Sequence, residues 1–305
     1  MQVCRTKRST EATIRNVLFA TDFSEESAHA INYVRTLHDA YNARVFVVHV
    51  ADVFPYSLSE QPSAREKATL IRSQAEARLR DFMLLHGFRR KHFEAAILSG
   101  EVFQAVESFA GAHEIDLIVL GSRGDLGLNR LFLGSTAEEI FRTAQCPVLT
   151  VGPHALPPGK DGLFNRLLFA TDLSPHSRAA IPYLECLLTR NPSARLTLLH
   201  VLPHVQHALE QQMRVPAIEV EVTALIAPDL RHQIAAVVVE PGEPELAITR
   251  TAATIEADLL VLGVRYGGSF LRAATHGFSS ITNTVINKAP CPVLTIRSSQ
   301  PSPEP

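Results

Sequence analysis

The chain contains no tryptophan, three methionines and only four cysteines in 305 residues. Four thiols are too few for a disulfide scaffold and lie too far apart for a zinc ribbon. Neither sign of charge is in excess: 29 Lys and Arg stand against 31 Asp and Glu, a net charge of −2. No general field therefore draws the chain to nucleic acid or to an anionic membrane, and no basic patch is interleaved with aromatics. No apolar run reaches the ~18 residues that a membrane span needs. The segment from Met1 to Arg8 lacks the apolar core of a secretory signal. The nucleophile pattern Gly-x-Ser-x-Gly is missing as well. The class left standing is a soluble, cytoplasmic chain, long enough for two domains at about 150 residues each.

What is present is a repeat. Leu18-Phe19-Ala20-Thr21-Asp22 recurs as Leu168-Phe169-Ala170-Thr171-Asp172, and Arg44–Val50 recurs as Arg195–Val201. Asp116–Gly121 recurs as Asp258–Gly263, and Cys146–Thr150 as Cys291–Thr295. Four blocks in one order make the chain a single domain written twice. A Pro- and Gly-rich stretch between the copies reads as a linker. The expected division is 14–152, a linker at 153–163, 164–297, and an unstructured tail at 298–305.

Within each copy, short β-branched runs alternate with helical segments. Strands are expected at 17–20, 45–50, 93–98, 117–120 and 148–151, and again at 167–170, 196–201, 235–239, 259–262 and 293–296. Helices are expected at 25–40, 64–86, 102–112 and 136–143. Such alternation predicts an α/β fold, two tandem Rossmann-like domains, each a five-stranded parallel sheet flanked by helices. Ligands of such sheets bind beyond the carboxyl ends of the strands, where the strand order reverses.

The richest stretch follows the fourth strand: Gly121-Ser122-Arg123-Gly124, nine residues, then Gly134-Ser135. Glycines there let a phosphate chain approach backbone N–H groups, and Ser135 opens a helix whose N-terminus favours anions. The pattern is neither a P-loop nor a dinucleotide fingerprint. A structural reading stands beside the functional one. Glycines also turn the chain, and Ser135-Thr136-Ala137-Glu138 is a capping box without any ligand. Asp22 and Asp172 end the first strands, on the rim where a carboxylate accepts from a ribose hydroxyl. Spacing alone favours a helix cap there, because Ser24 and Ser174 follow and Pro175 suits a first helical position. His49 and His200 read as hydrogen-bonded core residues, and Cys146 and Cys291 as small buried hydrophobes without an inter-domain disulfide.

These residues resemble the universal stress protein family in both halves, over roughly 14–152 and 164–297. The resemblance rests on the Thr-Asp-x-Ser turn, the Val-Val-His-Val strand, Asp-Leu-Ile-Val-Leu-Gly, Cys-Pro-Val-Leu and the spaced loop. The spacing Gly-x2-Gly-x9-Gly-Ser/Thr is that of the family's ATP-binding branch, complete here at Gly121, Gly124, Gly134 and Ser135. It implies ATP, or AMP or ADP, with Mg²⁺, its phosphates and ribose on Gly121, Arg123, Gly124, Gly134, Ser135 and Thr136. Ala20, Thr21 and Asp22 would then face the adenosine, and Val50 and Leu120 would line the adenine pocket. The resemblance also implies edge-to-edge pairing of the last strands, an intramolecular pseudo-dimer, with further homodimerisation left open.

The second copy departs from the pattern. Gly267 comes one residue late after Gly263, and Gly277 is followed by Phe278. A site at Asp172, Val201, Gly263, Gly267, Gly277 and Ser279 is expected to be weakened or lost; the alternative is a re-registered loop with Arg265, Arg272 and Ser279 as donors. The function implied is a cytoplasmic sensor or regulator that binds adenine nucleotide, hydrolyses it slowly at most and acts on an unknown protein partner. A nucleotide-dependent hydrolase or transferase and a ligand-free scaffold are the competing readings.

Overall fold

The computed structural model describes residues 14–53, 62–88, 93–122, 135–158, 164–202, 208–264 and 278–298. In the first copy the apolar runs form β1 (Asn16–Ala20), β2 (Arg44–Ala51), β3 (Phe93–Ser99), β4 (Leu117–Gly121) and β5 (Val148–Val151). Helices α1 (Glu25–Tyr41), α2 (Pro62–Leu85), α3 (Val102–Ala112) and α4 (Ser135–Thr143) lie between them. The second copy repeats this as β6 (Arg166–Ala170), β7 (Arg195–Leu202), β8 (Ile234–Pro241), β9 (Leu259–Val264) and β10 (Val293–Arg297). Its helices are α5 (Pro175–Arg178), α6 (Ile181–Arg190), α7 (Ala208–Ala224), α8 (Pro244–Thr254) and α9 (Phe278–Lys288). The expected strands are all present, most of them a residue or two longer, because ladder pairing continues past the apolar run.

One helix differs between the copies. α1 is continuous, with Ser24 as its N-cap and a left-handed Asn42 closing it. Its counterpart is cut into α5 and α6 at Ala179–Ala180. Pro182 stands where the first copy has Asn32. It has no N–H to give to the Arg178 carbonyl, and its ring crowds that carbonyl, so the helix must restart.

The strands form one ten-stranded sheet in the order β3-β2-β1-β4-β5-β10-β9-β6-β7-β8. Every pairing is parallel except β5 with β10, where Val293 faces Thr150, Leu294 faces Leu149 and Thr295 faces Val148. The last strands thus join the two domains edge to edge. Strands buried on both faces need two apolar faces, and β1 supplies them alternately. Val17 and Phe19 pack with Ile31, Val34, Leu37, Leu79 and Phe82 of α1 and α2. Leu18 packs with Val106, Ile140 and Phe141 of α3 and α4. Both clusters continue through Leu149, Leu294 and Val293 into the second copy, so the core does not stop at the seam.

The antiparallel register also places the cysteines. Cys291 falls level with Gly152 on the neighbouring strand, six residues along from Cys146. At about 3.3 Å per residue that is roughly 20 Å, against a Cα limit of about 7 Å for a disulfide. Cys146, Cys186 and Cys291 are free thiols. Burial pushes the Cys146 and Cys291 thiols up to about 12; Cys291 is buried as expected, whereas Cys146 is half-buried.

Candidate functional site at the crossover crevice

The chain builds β1, steps outward to β2 and β3, then returns to the other side of β1 for β4. Helices on opposite faces leave a crevice beyond the carboxyl ends of β1 and β4. Ala20 pairs with Val48, and Phe19 pairs with Val119, so Ala20-Thr21-Asp22 and Leu120-Gly121-Ser122 emerge side by side. Val50 stands two places past Val48 on the same rim. The structure therefore brings Ala20, Thr21, Asp22, Val50, Leu120 and Gly121 together. In the second copy β6 and β9 make the same crevice, with Asp172, Val201 and Gly263 on its rim.

The turn after the first strand is built identically in both copies. Phe23 has φ 68° and Leu173 φ 63°, a left-handed backbone that bulky side chains rarely take. The Thr21 hydroxyl oxygen accepts from the Phe23 N–H at 3.0 Å and lies 2.9 Å from the Ser27 hydroxyl. Thr171 does the same with the Leu173 N–H and Ser177, at 3.0 and 2.8 Å. The helix cap is the serine: Ser24 accepts from the Ser27 N–H, and Ser174 from the Ser177 N–H, both at 3.2 Å. Asp22 turns the chain into that cap, its Oδ1 accepting from the Ser24 N–H at 3.1 Å and the Ser24 hydroxyl at 2.6 Å. Burial acts upward on the Asp172 carboxyl, but hydrogen bonds from Ser174 and Ser177 outweigh it and hold the group below its ordinary 3.8.

His49 and His200 lock the same turns. Each Nδ1 sits on the carbonyl of Thr21 or Thr171, at 2.8 and 2.9 Å. A carbonyl can only accept, so Nδ1 carries the proton. Burial, with the Arg78 guanidinium, holds His49 below its ordinary 6.5, against the Thr21 hydrogen bond and Asp22, which act upward. Among the described residues the first copy alone adds an aromatic wall. Phe23 lies 4.3 Å from the His49 ring and edge-on to Phe82 at 5.4 Å, with Arg78 over its face at 4.6 Å. In the second copy Arg178, at the place of Ala28, pairs with Glu221.

At the end of β4 the Ser122 side chain is fully buried, and its hydroxyl has no hydrogen-bond partner among the described residues. It follows Leu120 on the face that α3 and α4 cover. Val264 takes its place in the second copy. Gly263 is tightly packed: a Cβ there would stand 2.3 Å from Ser177 Cα and 2.4 Å from the His176 carbonyl oxygen. Arg123, Gly124 and Gly134 lie outside the described residues, as do Gly267 and Gly277. Ser135 and Thr136 begin α4, so Ser135 is already helical, one place inside the expected cap. Ser279 is in the first turn of α9. The Thr21–Ser27 bridge, the left-handed Phe23 and the Ser122 hydroxyl were missed in the sequence, although Ser27 and Ser177 share the 150-residue offset of the repeat. Among the described residues no cluster of His, Cys, Asp and Glu is arranged to hold a metal ion, and no helix is long and apolar enough to cross a membrane.

The model of the universal stress protein family matches residues 13–152 and 163–297. The chain belongs to the universal stress protein family. Curated universal stress proteins match about half of it at a time. One from Methanocaldococcus jannaschii is 28% identical over 145 residues, 47% of this chain and 85% of its own. One from Thermus aquaticus is 33% identical over 137 residues, 45% of this chain and 98% of its own. Solved structures extend the likeness to both halves. A universal stress protein from Archaeoglobus fulgidus superposes with a TM-score of 0.64 at 21% identity, covering 92% of this chain and 98% of the other. A putative one from Pseudomonas aeruginosa gives 0.61 at 14% identity, covering 93% of each. At those identities the structures speak for the fold: two universal stress protein domains in tandem, joined at their last strands.

Proposed function

We propose that this universal stress protein is a sensor or regulator that binds an adenine nucleotide, ATP with Mg²⁺, in the first copy. One observation carries the reading. The Gly-x2-Gly-x9-Gly-Ser spacing begins at Gly121, on the strand end that the crossover sets beside Thr21 and Asp22. In this reading Asp22 takes the ribose, and Val50 and Leu120 take the adenine. Backbone amides at Gly121, Arg123, Gly124 and Gly134, with Ser135 and Thr136 at the start of α4, take the phosphates. The buried Ser122 hydroxyl, without a partner among the described residues, suits a polar ligand at this end of the sheet. The nucleotide would supply a triphosphate whose charge Mg²⁺ neutralises, and the protein holds and encloses it. No lysine of the P-loop kind stands in the spacing, which supports a switch with slow hydrolysis at most.

The second copy lacks two of these supports. Val264 replaces the Ser122 hydroxyl, and Gly263 has a packing duty against α5 that is sufficient reason for a glycine. Mg-ATP at a hundredfold excess over its Kd should stabilise the protein by about 2.7 kcal/mol, read as a thermal shift. Gly124→Tyr should abolish the shift. No shift at saturating Mg-ATP refutes the site, and an unchanged shift in Gly124→Tyr refutes the loop's part in it.

A further inference from the structure

The face of the sheet that α3 and α4 cover holds two hydroxyls among its apolar groups. On β4, Ile118 and Leu120 pack there with Ile140 and Phe141. Ser122 continues that alternation, because its N–H donates to the Val151 carbonyl at 2.9 Å as the Ile118 N–H does to Pro147. On β5 the same side is that of Val148, and Thr150, paired with Leu120, shares it. Ser122 and Thr150 are both 0% exposed, and neither hydroxyl has a hydrogen-bond partner among the described residues. Among those residues the second copy has no such pair. Val264 stands for Ser122, and the Thr295 hydroxyl donates to the Val148 carbonyl at 3.2 Å. A buried hydroxyl without a partner costs stability, so its retention calls for a reason.

The two hydroxyls differ in depth. Thr150 stands level with Leu120, and Ser122 is two places further along, about 7 Å nearer the carboxyl rim. α4 leads into β5, so it runs against the strands, and its first turn with Ser135 and Thr136 lies over that rim. The first four N–H groups of a helix have no partner within it, and they make that end favour an anion. Ser122 is therefore a buried hydroxyl with a proton to give, beneath a helix end that also offers only donors. The atom that complements such a set is an anionic oxygen.

We infer that the Ser122 hydroxyl donates to a phosphate oxygen of the bound nucleotide. The inference rests on the first-copy site proposed above and adds to it a side chain that the glycine spacing does not include. The hydroxyl is then satisfied only when the site is filled, and the empty chain is the less stable for it. Thr150, deeper under α4, destabilises the chain in the same way but takes no part in binding. In the second copy Val264 puts methyl groups at the corresponding place, which removes the penalty and the donor together.

The test is calorimetric titration of the full chain with Mg-ATP and with adenosine, beside thermal melts of the empty chain. Ser122→Ala should melt about 2–4 °C higher, because the unsatisfied hydroxyl is gone. It should bind Mg-ATP about ten- to a hundredfold more weakly, the loss of one hydrogen bond to a charged group. Adenosine, which has no phosphate, should bind Ser122→Ala as it binds the parent chain. Thr150→Val should also melt higher, with its Mg-ATP affinity unchanged. If the parent chain binds Mg-ATP and Ser122→Ala binds it equally well, the inference falls and the nucleotide site stands. An equal loss for adenosine would give the hydroxyl to the base or the sugar, and an equal loss in Thr150→Val would make the effect one of packing; each overturns the inference. So does a Ser122→Ala chain that melts no higher than the parent, since an ordered water then already satisfies the hydroxyl. A parent chain that binds no Mg-ATP overturns the site and the inference together.

Discussion

Gly263 occupies the first glycine of the second copy's spaced loop, yet its surroundings give it a packing duty, and Gly263→Ala separates the two. A Cβ there would lie 2.3 Å from Ser177 Cα, 2.4 Å from the His176 carbonyl oxygen and 2.9 Å from the Ser177 carbonyl carbon, where ordinary contact begins at 3.4 Å. All three are backbone atoms, so no side chain can swing aside. The first turn of α5 must retreat by roughly 1 Å, at a cost of about 1–3 kcal/mol for overpacking. That turn is held by the Ser174 cap and by the Thr171–Ser177 hydroxyl pair at 2.8 Å. Straining them adds about 1 kcal/mol for the cap and about 1 kcal/mol for the buried hydrogen bond. The expected loss is about 3–5 kcal/mol, read from urea unfolding by circular dichroism. Gly111→Ala is the contrast: that helical glycine has nothing within 4 Å of its Cβ position, so the change should be neutral or gain up to about 1 kcal/mol. The Mg-ATP response of Gly263→Ala should remain, since the nucleotide is assigned to the first copy. A loss below about 1 kcal/mol in Gly263→Ala would refute the packing argument.

Two further outcomes follow from the strained turns. Thr21→Val keeps the shape but removes the acceptor of the Phe23 N–H and the partner of Ser27. It should cost about 2 kcal/mol in urea unfolding, and Thr171→Val should cost the same; a loss under about 0.5 kcal/mol in either would show that the hydroxyl does not hold the turn. His49, held below its ordinary 6.5, stays neutral in the folded chain and protonates more readily once unfolded. Its contribution is therefore complete above about pH 6.5 and lost as the pH falls toward the folded value. Stability of the parent chain should drop more steeply than that of His49→Gln between about pH 7 and pH 5; parallel curves would refute the assignment.

Much of the architecture can be read from the chain because both of its signals are local. Runs such as Val45–Val50 have one period whether or not the partner strand is known, and a strand covered on both faces must be apolar throughout. The Thr-Asp-x-Ser turn was visible for the same reason. Its bonds join residues within six positions of each other, and they are repeated at a fixed offset. The break between α5 and α6 was also readable, from Pro182 where the first copy has Asn32. The duty of Gly263 was not, because the atoms that exclude a side chain belong to Ser177 and His176, far back in the chain. Nor could the distance between Cys146 and Cys291 be read from their matching places. Equal positions in two copies become distant positions once the strands run antiparallel.

By itself the sequence determined that one α/β unit is present twice, where its strands lie, and that its candidate site clusters at the ends of the first and fourth strands. Those follow from periodicity and spacing, which neighbours along the chain enforce. Tertiary structure alone decided that the two sheets share one core and that a glycine of the loop pattern serves packing. Both depend on atoms that meet only once the strands pair and the helices pack.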